Sequence, residues 1–189
     1  MSGPEGVDAL LKEAEEFLLL SRYREAEEAS LEVLRRTVYI PGSELAEDRA
    51  ASVLLQALYE TDRFSTARKQ LQDSFGRLSS TPPSALLLYL SLSLDFQASR
   101  GETQTLTLEL LQSKAPGPGA WPRRHFLSLL HLYLFDVLLP TCSEPAQAAR
   151  WLETSPLPVS AEDRAALLDE LDATLAETPS AGLEYSGGG

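Results

Sequence analysis

One cysteine, Cys142, and two histidines, His125 and His131, are all this chain offers to thiol or metal chemistry. A lone cysteine forms no internal disulfide, which places the chain in a reducing compartment. The two histidines stand six residues apart. On a helix that separation turns them about 120° from one another, unlike the i, i+4 pair of a helical metal site. His131 and Cys142 read as core or boundary residues. No glycine-rich phosphate loop occurs, because Pro116-Gly117-Pro118-Gly119 has no lysine and hydroxyl residue behind it. Alternating β-branched runs are absent, so a sheet is not expected. No apolar run reaches the roughly 20 residues of a membrane span. The longest, from Phe126 to Leu139, contains His131 and Asp136 and reads as a buried helix. Basic residues are scarce. Acidic residues number 28 against 16 basic ones, a formal charge of −12. That balance repels phosphate backbones and anionic lipids and excludes nucleic acid as the natural partner.

What the chain has in quantity is leucine, alanine and glutamate at helical spacing. Leu10, Leu11, Ala14, Phe17 and Leu18 form one stripe; Ala26, Ala29, Leu31, Val33 and Leu34 form the next, after a break at Ser21-Arg22. Further helices are predicted over about 43–59 (capped by Ser43), 65–78, 84–98, 103–113, 122–139, 144–153 and 161–176 (capped by Ser160). Residues 1–6 and 178–189 are expected to be disordered tails around a helical domain of 7–177.

Tyr23 with Ala26 and Phe64 with Ala67 share an aromatic-x-x-Ala spacing 41 residues apart, each at the start of a second helix. Thr103 with Leu106 and Pro145 with Ala148 continue it at offsets of 39 and 42. A small residue there lets paired helices approach closely. The fold expected is therefore all-α: antiparallel helix hairpins stacked as a degenerate, tetratricopeptide-like right-handed solenoid of about eight to nine helices. The alternative is an ordinary helical bundle.

Glu13, Glu15, Glu16, Glu25, Glu27 and Glu28 flank the first turn, and Asp169, Glu170 and Asp172 lie in the last helix. On helices such carboxylates are solvated faces, and nothing marks two of them as an acid/base pair. The turn from Glu60 to Phe64 gathers charge beside an aromatic, with two readings: Asp62 caps the next helix and Arg63 pairs with Glu60 or Asp62, or the tip meets a partner.

Gln56-Ala57-Leu58, Glu60 and Asp62-Arg63-Phe64 resemble a segment of the animal peroxin-26 family. Val137-Leu138-Leu139-Pro140, followed by Cys142-Ser143-Glu144 and Ala146, resembles a second segment of it. Tyr23 with Glu25-Ala26-Glu27 is similar to the opening hairpin of the plant counterpart, the aberrant-peroxisome-morphology protein. The likeness spans about residues 7–175 in one order. It implies a helical, non-enzymatic adaptor on the cytosolic face of the peroxisomal membrane. Its partner would be the N-terminal domains of the AAA-ATPase pair of peroxisome biogenesis, recruited to recycle the matrix-protein import receptor. It implies no cofactor and no small-molecule substrate. Tyr23, Glu27, Gln56, Asp62 and Arg63 are the family-like candidates for partner binding. The family ends in a transmembrane anchor that these residues lack, so the resemblance implies an anchor outside them. The competing reading is a generic tetratricopeptide-like scaffold or co-chaperone holding an extended peptide. A carboxylate clamp would need inward Lys and Arg on successive first helices, where Lys12 and Arg49 stand with little else.

Overall fold

A computed structural model describes residues 4–38, 40–96, 100–115, 120–142 and 146–177. Its helices are α1 (Pro4–Leu19), α2 (Tyr23–Thr37), α3 (Glu44–Glu60), α4 (Ala67–Phe75), α5 (Pro83–Leu94), α6 (Arg100–Ser113), α7 (Arg123–His131), α8 (Ala146–Thr154) and α9 (Ala161–Glu177). The chain is all-helical; among the described residues there is no strand. Residues 4–6, expected to precede the first helix, form its opening turn, because proline is well suited to a first helical position. The fifth helix, expected over 84–98, ends at Leu94, and Asp95 and Phe96 after it are not helical. Most of the loop expected over 115–120, the start of the fourth repeat at Pro145 and the tail at 178–189 lie outside the described residues.

The helices pair and stack as the apolar stripes require. Helix α2 packs on both α1 and α3, α3 on α1 and α5, α5 on α6 and α7, and α8 on α9. Helix α3 is enclosed from several sides, and Ala50, Ala51, Leu54, Leu55, Ala57 and Leu58 are all fully buried. Helix α5 is apolar nearly all round, which suits its central place. Its N-terminus is held from α3: the backbone N–H of Ala85 donates to Asp48 Oδ1 at 2.8 Å.

The repeat is visible in the turns. After α1, the N–H of Arg22 donates to the Phe17 carbonyl at 2.8 Å and that of Ser21 to Leu18 at 3.0 Å. After α3, Arg63 donates to Leu58 at 2.8 Å and Asp62 to Tyr59 at 3.1 Å. Both are the same six-to-one and five-to-two closure, and both force a left-handed residue, Ser21 at φ +57° and Asp62 at φ +56°. The small residues that follow, Ala26, Ala67 and Ala148, are fully buried. Ala14, Ala26, Ala29, Val53 and Ala57 form a small-residue contact among α1, α2 and α3. Ala26→Leu should therefore overpack this crossing, costing about 1–3 kcal/mol and several degrees of melting temperature. Calorimetry showing an unshifted midpoint would mean that the crossing has slack.

Three further elements differ from their predicted form. The helix expected over 65–78 is a single 3-10 turn, Phe64–Thr66, then the short α4, stopped by Gly76 at φ +75°. The long helix expected over 122–139 is α7 followed by a π-helical stretch, Leu132–Leu138, and a 3-10 turn, Leu139–Thr141. Pro140 supplies no N–H to the Asp136 carbonyl, so an α register cannot continue through it. Ser43 stands at the start of α3, but its hydroxyl donates backwards to the Ile40 carbonyl at 2.7 Å rather than capping the helix. Ser160 does cap α9, accepting the Asp163 N–H at 3.1 Å.

Candidate partner-binding site

The sequence candidates divide into a linked pair, a packed aromatic and two exposed residues. Glu27 lies on α2 with only 7% of its surface exposed. Arg63, at the second hairpin's turn, reaches it with both guanidinium nitrogens, at 2.6 and 3.1 Å. Gln70 of α4 adds a donor to the same carboxylate at 3.3 Å. Arg63 thus pairs neither with Glu60 nor with Asp62. Asp62 occupies the left-handed turn position and does not cap the next helix; it is exposed. Tyr23 packs on the small-residue contact beneath the first turn. Gln56 is exposed on α3.

The repeat offset carries a second pair that motif reading alone missed. Arg68 stands 41 residues after Glu27, and Glu102 stands 39 after Arg63. These two also meet, at 2.8 Å, with the signs exchanged. Also missed was the ring cluster around Phe64. Its ring stacks on Phe96 at 5.4 Å and on Tyr89 at 5.7 Å, and meets the edge of Tyr59 at 6.1 Å. The Tyr59 hydroxyl donates to Asp95 at 2.8 Å, and that bond holds the phenol above its ordinary pKa.

The edge that carries these turns also exposes apolar surface. Leu19 and Leu20, at the end of the first hairpin's leading helix, are 83% and 67% exposed. Turn geometry does not require leucine there. The same positions 41 residues on, in a turn of the same hydrogen-bond pattern, are Glu60 and Thr61. Arg22 is held locally, against Glu25 at 3.0 Å and over the Phe17 ring at 4.4 Å.

The histidines and the cysteine engage different surroundings. His125 Nε2 lies 3.2 Å from Ser84 Oγ of α5, and burial, then Arg124, lowers its pKa. His131 stacks on Phe135 and pairs with Glu170 of α9 at 2.9 Å. Cys142 is half-buried on the outer side of the core. Among the described residues, no three His, Cys, Asp or Glu side chains gather closely enough to hold a metal ion. The two cations considered for a carboxylate clamp are taken: Arg49 by Glu15 at 2.7 Å and Lys12 by Glu16 at 3.9 Å. No helix of the described residues is long and apolar enough to cross a membrane. Set against family models, curated proteins and solved structures, the chain matches none.

Proposed function

We propose that this chain is a non-enzymatic adaptor that recruits the peroxisomal AAA-ATPase complex to the membrane, where that machine recycles the matrix-protein import receptor. Two things support the reading. Family-like motifs occur in one order along a stack of helix hairpins. Three of the five family-like residues, Tyr23, Glu27 and Arg63, lie at the junction of the first two hairpins. The observation that carries it is the solvent-facing Leu19 and Leu20 on that same edge. An exposed apolar pair that the turn does not need is surface for another protein.

The test is a pull-down and a titration with the purified N-terminal domains of the ATPase pair. The wild-type chain should bind at micromolar concentration or better. Leu19→Glu with Leu20→Glu should weaken binding at least about tenfold, as for loss of an interface anchor. Its melting midpoint should stay where it was, because exposed positions cost within about 0.5 kcal/mol. Absence of wild-type binding at micromolar concentration would defeat the proposal.

A further inference from the structure

A groove of about 440 Å³ runs along α7 and the π-helical stretch, between α5 and α9. Leu87 of α5, Leu127 and Leu132 beside it, and Leu167 of α9 give it apolar walls. Helix α7 is tied to α9 at both ends, Arg123 to Asp163 at 2.6 Å and His131 to Glu170 at 2.9 Å, so the groove has a fixed frame. Asp136 stands in this lining. Among the described residues its carboxylate has no hydrogen-bond or ion-pair partner, and His131 beside it is engaged by Glu170. Asp136 lies within the π-helical stretch Leu132–Leu138. Stretches of π-helix recur where a helix meets a ligand.

Exposed charge beside the groove is of both signs: α7 carries Arg123, held by Asp163, and Arg124. Helix α9 exposes Glu162, Asp169, Glu170 and Asp172. Its one base, Arg164, is held by the carbonyls of Leu152, Ser155 and Leu157. Leucine walls with an unpaired carboxylate among them call for a ligand with an apolar stripe and a cation.

We infer that this groove is a docking site for a cationic amphipathic helix of a partner protein, its apolar stripe on Leu87, Leu127, Leu132 and Leu167 and a Lys or Arg on Asp136. The site is separate from the leucine pair at the first turn and does not rest on the adaptor reading.

The probe is a fluorescein-labelled leucine/lysine amphipathic peptide of about four helical turns, followed by anisotropy against the intact chain. A leucine/glutamate peptide of the same pattern is the comparison. Binding of the lysine peptide and not the glutamate one is expected. Asp136→Lys should weaken it at least about tenfold. Glu13→Lys, which changes net charge equally on the distant exposed face of α1, should change it less than about twofold. Leu19→Glu with Leu20→Glu should leave it unchanged. Circular dichroism verifies that each variant stays helical; Asp136 is exposed, so its replacement leaves the core intact. Equal weakening by Asp136→Lys and Glu13→Lys would mean diffuse attraction to an acidic protein and would overturn the site. So would lysine-peptide binding that Asp136→Lys leaves intact, or no binding at all.

Discussion

Phe64→Ala should lower the thermal midpoint more than any other single change considered. The ring is 6% exposed and joins the end of α3, the second turn and α5 through Tyr59, Tyr89 and Phe96. Truncating a buried phenylalanine costs about 3–5 kcal/mol, transfer and cavity together. For a chain of this size each kcal/mol moves the midpoint by roughly 2–4 °C, so a fall of roughly 6–20 °C is expected. The loss should reach beyond the turn. Tyr59 rests edge-on against Phe64 and Phe96, so its hydrogen bond to Asp95 should weaken as the cluster loosens. Phe64→Leu keeps most of the volume and should recover a large part of the loss. Scanning calorimetry of the three proteins checks this. A midpoint for Phe64→Ala within a degree or two of wild type would show that the rings pack side by side without holding the hairpins together.

Arg63→Trp is the second large effect. The indole cannot donate two parallel N–H bonds, so Glu27 would keep only the 3.3 Å contact from Gln70. Stripping one partner from a buried ion pair costs about 3–5 kcal/mol. Arg63 is 47% exposed, and water reaching its side of the pair reduces the expected cost to roughly 2–3 kcal/mol. A drop of several degrees should follow. Adding Glu27→Gln removes the stranded charge and should return part of the stability, a non-additivity that a double-mutant cycle reads directly. If Arg63→Trp lost partner affinity and left the midpoint still, Arg63 would be a contact residue and the pair with Glu27 incidental. Ligand binding alone does not separate these cases; melting and binding measured on the same variants do.

The contrast between the two readings of Arg63 shows how far the sequence reaches. Helical periodicity placed the stripes on α1, α2 and α3 because each buries one side on a neighbour. The aromatic-x-x-Ala spacing placed Ala26 and Ala67 at closed crossings, since only a small side chain fits there. The partner of Arg63 was harder. Local reading offered Glu60 and Asp62, whereas Glu27 sits 36 residues away and meets Arg63 only because hairpins stack side by side. The repeat offset held that information, had the charges been compared across copies as the aromatics were. Gly76 was a stop signal within the sequence, and the expected helix ran past it. The π-helical stretch is different in kind. Pro140 announces that an α register fails, but whether the helix ends early or widens is decided by packing of Leu132, Tyr133, Leu134 and Val137 into the core. The groove and its carboxylate left no local pattern to read.

The exchanged signs of the two inter-hairpin ion pairs carry a consequence for assembly. Hairpin two meets hairpin one through Arg63 and Glu27, and hairpin three meets hairpin two through Glu102 and Arg68. The units are thereby keyed, like a lock that accepts one order of blades. A second hairpin docking on another copy of itself would set Arg63 against Arg68. A third hairpin skipping to the first would set Glu102 against Glu27. Both mismatches put like charges together, so pairing of these hairpins out of order is disfavoured from within the repeat itself.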